Sequence, residues 1–259
     1  MAISLTYDSV ARTHVGRVRE LNEDAYVDRP LMRLWAVADG MGGHQAGEVA
    51  SGMIAQALSE IGPASSGYLF LTEVRESLER VNRTLVARAS ALQPGSVIGS
   101  TVVSLLAYEG HYACLWAGDS RAYLLRRGVL RRLSRDHSVV QQLIDTGALS
   151  QADAKHDRRA NIITRAVGVH PDLVMDVVEG AIEREDVFLL CSDGLSGLVE
   201  DEELAVELSG EDLDAVADRL IDLTLSRGAK DNVTVVLIRA NSSTDDTFDR
   251  TVDSRRASW

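Results

Sequence analysis

Strand-like runs in this chain come in clusters, with a pair of helical stretches between them. Apolar residues recur at intervals of three and four over Ala46, Val49, Ala50, Met53, Ile54, Ala57 and Leu58, and again over Val74, Leu78, Val81, Leu85, Ala89 and Leu92. That spacing puts each set on one helix face. Pro63 and Gly67 separate the two stretches, and Pro94-Gly95 ends the second. From Gly99 to Leu133 short β-rich runs are joined at Glu109-Gly110 and Arg127-Gly128, both hairpin signals. Further strands are predicted over 3–13, 33–38, 173–178, 186–191 and 233–238. A helix is predicted over 211–226, with Leu213, Val216, Ala217, Leu220 and Ile221 as its stripe. Strands grouped in this way argue for an α+β fold with antiparallel sheets, not for a doubly wound parallel sheet.

One domain is expected over residues 1–240. Asn241 to Trp259 is poor in apolar residues and rich in Ser, Thr, Asp and Arg, and reads as a disordered tail. Residues 136–168 are a looser stretch of the kind that forms mobile functional segments. Lys plus Arg is 27 against 39 Asp plus Glu, a net charge of -12. Such a surface disfavours nucleic acid and anionic membranes and attracts cations. Cys114 and Cys191 lie in apolar runs with no CxxC spacing, so neither a disulfide framework nor a zinc site is expected. The first residues lack the charged-then-apolar pattern of a secretory signal, and no apolar run is long enough to span a bilayer. A soluble cytoplasmic protein is therefore expected.

Three apolar runs end alike: 35–38 leads into Asp39-Gly40, 115–118 into Asp119-Ser120, and 188–192 into Asp193-Gly194. A fourth aspartate, Asp231, opens the run 233–238. A single Asp-Gly is first of all a turn signal. Four aspartates at strand ends suggest convergence instead, because strand ends are where a rigid scaffold presents side chains. Unit charges 4 Å apart repel by roughly 4 kcal/mol at an effective dielectric near 20, so such a cluster needs protons or a bound cation. All-oxygen donors select Mg²⁺ or Mn²⁺. Upstream, Arg19 has the fork to hold a phosphate, and Glu23 and Asp24 can orient metal-bound waters, although a charged run of this kind also reads as a solvated loop.

Taken in order, Arg19 with Asn22-Glu23-Asp24, Val37-Ala38-Asp39-Gly40-Met41-Gly42-Gly43-His44, Gly99-Ser100-Thr101, Ala117-Gly118-Asp119-Ser120-Arg121, Asp136-His137-Ser138, Cys191-Ser192-Asp193-Gly194-Leu195 and Lys230-Asp231-Asn232 resemble the bacterial branch of the PPM (type 2C) family of metal-dependent serine/threonine protein phosphatases. The resemblance covers about residues 4–239. It implies a four-layer α+β sandwich, two central antiparallel β-sheets flanked by pairs of α-helices. It implies that Asp39 bridges two metal ions, with the Gly40 carbonyl on one of them. Asp193 and Asp231 would complete the first ion's ligands, Glu23 and Asp24 would act through waters on the second, and Asp119 would hold a weaker third. Arg19 would grip the substrate phosphate. The segment from Gln141 through Gly147 and Asn161 to Arg165 falls where the family has its mobile flap.

The reaction implied is one-step hydrolysis of phosphoserine or phosphothreonine, a hydroxide bridging two Mn²⁺ or Mg²⁺ ions attacking phosphorus in line. The partners implied are phosphorylated proteins and an opposing Ser/Thr kinase, with the chain acting as a monomer. In the animal branch a histidine follows the Asp-Gly as a candidate general acid; here Met41 stands there and has no proton to give. Water near Asp119 or His44 is the alternative donor, although His44 also reads as a cap or surface residue and His137 as structural. The rival readings are a pseudophosphatase serving as a binding module, a hydrolase of small phosphoesters, and a purely structural cation site. In the tail, Thr244, Thr247 and Thr251 lie among aspartates, and Arg255-Arg256-Ala257-Ser258 resembles a basic-directed kinase site. Phosphorylation there would recruit a phosphothreonine-reading protein or the cognate kinase.

Overall fold

Every residue from Leu34 to Ala38 on strand β3 (Leu34–Met41) is buried. Successive strand side chains point to opposite faces, so both faces must be covered. Leu34, Ala36 and Ala38 enter one apolar core, and Trp35 and Val37 enter another. The structure is a computed structural model that describes residues 5–42, 46–92, 95–154, 157–159 and 162–242. It contains two antiparallel sheets. One has the order β1 (Leu5–His14), β11 (Val233–Ser242), β10 (Val187–Cys191), β7 (Arg121–Arg126), β8 (Val129–Arg132). The other runs β2 (Asp24–Arg29), β3, β5 (Val102–Tyr108), β6 (His111–Ala117), β9 (Asp176–Ala181), with the short β4 (Gly99–Ser100) added to β3.

Trp35, Val37, Val103, Leu105, Phe188, Leu190, Val236 and Ile238 fill the space between the sheets. Each large apolar side chain buried there contributes roughly 1.5–3 kcal/mol. Helices α1 (Ala46–Ser59) and α2 (Gly67–Leu92) cover the outer face of the β3 sheet, burying Ile54, Leu58, Val74, Leu78 and Leu85. On the opposite outer face α5 (Asp193–Ser196), α6 (Asp201–Leu208) and α7 (Leu213–Ser226) pack Leu204, Val216 and Leu220 onto Leu189, Val235 and Leu237. This is the α+β four-layer sandwich. Both hairpin signals form two-residue turns with positive φ at each position, 44° and 76° at Glu109-Gly110 and 52° and 77° at Arg127-Gly128.

Several elements differ from expectation. β2 reads Asp-Ala-Tyr-Val-Asp-Arg, an edge strand whose aspartates disguise it as a charged loop. α6 buries only Leu204 and Leu208, too few positions to register as a stripe. The strand expected over 173–178 lies at Asp176–Ala181, where Trp116 of β6 pairs with Asp176. β3 continues through Asp39 and Gly40, because Gly40 and Met41 pair with Ser100 and Gly99. β11 continues to Ser242, opposite Leu5, past the domain boundary expected at 240. Residues 243–259, with the threonines and Ser258 of the tail, lie outside the described residues, as do His44 and Asn161.

Candidate active site

The register of β2 on β3 sets Asp24 directly opposite Asp39. Cross-strand partners put their side chains on one face, with Cβ atoms about 5 Å apart. Alternation aims that face at the other sheet, since Trp35 and Val37 share it. There Asp24 Oδ2 accepts hydrogen bonds from Ser192 Oγ (2.8 Å) and Thr234 Oγ1 (2.7 Å), tying the two sheets together. Its Oδ1 is buried without a partner. Neither hydroxyl stood out in the sequence: Ser192 lay inside a motif without a role, and Thr234 lay inside a strand.

Asp193 follows β10 and Asp231 precedes β11. These strands are antiparallel neighbours, so both aspartates emerge at the end of the sandwich that holds Asp39. Asp193 is in reach of Asp39 there; burial and Asp231 raise its carboxyl, and the Asp39 contact pulls it down against that larger rise. Asp231 is drawn the other way. Its Oδ2 accepts from Arg19 Nη2 at 2.8 Å. The loop bearing Arg19 is held by Asn232, whose amide donates to the Val15 and Leu21 carbonyls (both 2.9 Å) while its Oδ1 accepts from Glu23 N (2.8 Å). Glu23 and Gly40 meet at the start of α1. A Cβ on Gly40 would stand 2.2 Å from the Gly47 carbonyl oxygen, and one on Gly47 would stand 2.5 Å from Glu23 Oε1. Only glycines allow helix start, strand end and carboxylate to approach so closely. Gly47 was hidden in the sequence by its position inside a helical stripe.

Asp119 reaches the same end from the turn between β6 and β7. It is 8% exposed, and its Oδ1 is buried without a partner. Gly118 before it has φ 120°, and a side chain there would strike Thr101. Below this turn Arg121 makes a bidentate pair with Asp136 (3.1 and 2.8 Å), and Arg132 reaches the same carboxylate at 2.5 Å. His137 is structural, as expected. Its Nδ1 accepts from Gly118 N at 3.2 Å, its ring stacks on Trp116, and its Nε2 lies 3.2 Å from Asp176 Oδ2.

The expected flap begins with α3 (Val139–Asp145), capped by Ser138 accepting from Gln141 N, and continues through Gly147 to α4 (Gln151–Ala154). Its ends are fastened together by Val139 N to Ile162 O (2.9 Å) and Thr164 N to His137 O (2.7 Å). Arg165 sits at this root, donating to Asp176 Oδ1 at 3.0 Å.

The cluster resists ionisation. Burial pushes the Asp24 carboxyl up to about 7, against the pull of Thr234 and Ser192 and with help from Asp193 and Asp231. Burial, then Asp193 and Asp136, raise Asp119 to about 7. Asp39 is raised well above the ordinary range by burial and by Asp24, Asp193, Asp119 and Asp231. Asp193 is raised by burial and Asp231. Among the described residues no three His, Cys, Asp or Glu groups stand as a finished ligand cage. The donors are engaged elsewhere, Asp231 with Arg19 and Asp24 with the facing hydroxyls. The chemistry of the set still suits a hard divalent cation: only carboxylate oxygens, two of them buried and unpaired, around a surplus of negative charge.

A carboxyl whose folded pKa exceeds its unfolded value stabilises the fold fully below the unfolded pKa. That stability is lost as pH rises through the folded pKa. With Asp24 and Asp119 moved from 3.8 to about 7, the metal-free protein is expected to lose thermal stability as pH rises from about 4 to about 7. In an Asp24→Asn/Asp119→Asn variant that slope should shrink. Parallel Tm curves for the two proteins would contradict the assignment. Both cysteines are buried, their thiols pushed up to about 12 by desolvation, too high for nucleophilic work. Cys191→Ser is accordingly expected to keep most of its turnover. Complete loss in a folded variant would show that a thiol takes part.

The protein phosphatase 2C family model matches residues 12–143. The serine/threonine phosphatase stp of Listeria monocytogenes is 37% identical over 235 residues, covering 88% of this chain and 93% of that protein. Among solved structures, PppA, a key regulatory component of T6SS in Pseudomonas aeruginosa, superposes with a TM-score of 0.85 at 46% identity, over 92% of this chain and 99% of that one. The catalytic domain of the serine threonine protein phosphatase PstP, in complex with two manganese ions, does so with a TM-score of 0.84 at 34% identity, over 92% of this chain and all of that one. With the family model on half of its length and such identities over most of it, the chain belongs to the protein phosphatase 2C (PPM) family, in the bacterial branch of protein-serine/threonine phosphatases.

Proposed function

We propose that the chain hydrolyses phosphoserine and phosphothreonine in phosphoproteins at a divalent-metal centre on the carboxylate end of the sandwich, opposing a bacterial Ser/Thr kinase in the cytoplasm and acting as a monomer. The observation that carries this reading is the convergence of Asp24, Asp39, Asp119 and Asp193 into a space where burial and mutual repulsion raise all four. Asp39, the Gly40 carbonyl, Asp193 and Asp231 would hold two Mn²⁺ or Mg²⁺ ions, with Glu23 and Asp24 steadying waters and Asp119 serving a weaker third. The ions supply an activated water and charge stabilisation at phosphorus. The two-manganese complex of PstP supports this pairing of fold and metal.

The chain's own residues account for the remaining tasks. Arg19 is exposed at the mouth and has the planar fork that matches a phosphoryl group. Only its Nη2 is on Asp231, and turning the fork to a phosphate would release Asp231 as a ligand. Asn232 keeps the Arg19 loop in register throughout. Met41 ends β3 beside Gly99 and supplies no proton, so the leaving alkoxide would take its proton from another donor, water near Asp119 or His44. Gln141, Gly147, Asn161 and Arg165 belong to the flap that shapes substrate access. The test is phosphate release from a phosphothreonine peptide, with Mn²⁺ and with EDTA. Release only with metal is expected. No release from folded protein with either metal would move the weight to a binding module.

A further inference from the structure

The outer face of the C-terminal half of α2 carries charge opposite in sign to the chain as a whole. From Arg80 to Leu92 the helix holds Arg80, Arg83 and Arg88 and no acidic residue, in a protein of net charge -12. Its inner face is committed to the core through Val81, Leu85 and Ala89. The outward residues Arg80, Arg83, Thr84, Ala87, Arg88 and Ala91 are exposed and line a shallow groove.

Among the described residues none of these three arginines lies within 4.0 Å of a carboxylate, while Arg12, Arg19, Arg121, Arg126, Arg132, Arg165 and Arg227 are all ion-paired. Glu76 and Glu79 stand one turn before Arg80 and Arg83 but leave them unpaired, and Arg80 donates instead to Ser77 Oγ at 2.6 Å. The helix is also one loop away from the site. Asn82 binds Gly168 N (2.6 Å) and the His170 carbonyl (2.9 Å), Val167 pairs with Ser100, and Ser100 Oγ donates to the Asp39 carbonyl.

We propose that this groove docks an acidic segment of the phosphoprotein substrate, apart from the phosphoresidue itself. The inference rests on the phosphatase reading above and adds a substrate preference to it. Arg80 to Arg88 spans about 12 Å at 1.5 Å per residue. That matches about four residues of an extended acidic run at roughly 3.3 Å each. On a surface of net negative charge this stripe selects such a run by charge complementarity, while the remaining surface repels it.

The test is Arg80→Glu/Arg83→Glu/Arg88→Glu in the full chain, all three positions being exposed and outside the site. Fluorescence anisotropy with a labelled unphosphorylated Asp/Glu-rich peptide reads docking without turnover. Three exposed charge pairs lost together amount to ~10-fold in Kd. Peptide binding is therefore expected to weaken by that factor and to fall with salt. KM for a phosphothreonine peptide carrying an acidic run should rise similarly, with kcat unchanged and hydrolysis of p-nitrophenyl phosphate unaltered. Equal Kd in the two proteins, or an equal KM change for a phosphopeptide without the acidic run, would overturn the proposal. So would tighter peptide binding after Asp245, Asp246, Asp249 and Asp253 are changed to Asn, which would assign the groove to the chain's own tail. If p-nitrophenyl phosphate is not hydrolysed by the wild type, the phosphatase reading fails, while the anisotropy result still decides docking.

Discussion

Asp39→Asn is expected to abolish phosphate release and, in the absence of metal, to raise the melting temperature. Both effects come from one carboxylate. It lies opposite Asp24 on its own sheet, and the proposed metal centre assigns to it the ligand role that two cations would share. Removing a preorganised electrostatic contact from a transition state costs ~10²–10³ in rate, and losing a bridging ligand should reach at least the upper end of that range. The stability effect runs oppositely. In the metal-free fold Asp39 is held well above the ordinary carboxylate range by burial and by four neighbouring acids. An ionised Asp39 therefore opposes folding at pH 8, where the unfolded chain ionises it freely. Asparagine removes that charge, and its amide can donate to the neighbouring Asp193 carboxylate. Phosphate release with Mn²⁺ and a thermal melt in EDTA read the two effects separately. A variant that keeps wild-type turnover, or one that melts lower without metal, would contradict this account of Asp39.

Asp136→Ala is expected to cause the largest loss of stability. The carboxylate is 10% exposed and is the shared partner of Arg121 and Arg132, each 24% exposed in its side chain. Truncation leaves two guanidinium groups beneath the Asp119 turn without their anion. Breaking a buried pair from one side costs ~3–5 kcal/mol. At 2–4 °C per kcal/mol for a domain of this size, Tm should fall by about 10 °C. Asp136→Asn keeps the shape and one acceptor and should lose less. A Tm within about 2 °C of wild type for the alanine variant would mean that solvent screens the triad.

The α+β class and the carboxylate strand ends were legible because both follow from local patterns, whereas the layer order was implied only by the family resemblance. Glu109-Gly110 and Arg127-Gly128 announced their hairpins through the backbone they require. Asp39, Asp119, Asp193 and Asp231 stood out because apolar runs ended on them. Long-range register left no such mark. Asp24 becomes a partner of Asp39 only because β2, which looks like a charged loop, pairs at one register with β3. Ser192, Thr234 and Asn232 act across 168, 210 and 209 residues of chain respectively. Gly47 matters only because Glu23 folds against it. The pairing of Arg19 with Asp231 depends likewise on where two loops end.

The account turns on whether the carboxylate end of the sandwich holds divalent cations. Calorimetric titration of Mn²⁺ into EDTA-stripped protein measures this without substrate. Wild type should bind two ions per chain, as the PstP catalytic domain does, and Asp39→Asn should lose one of them or weaken it by at least ~100-fold. Equal stoichiometry and affinity in the two folded proteins, or no binding to either, would contradict it.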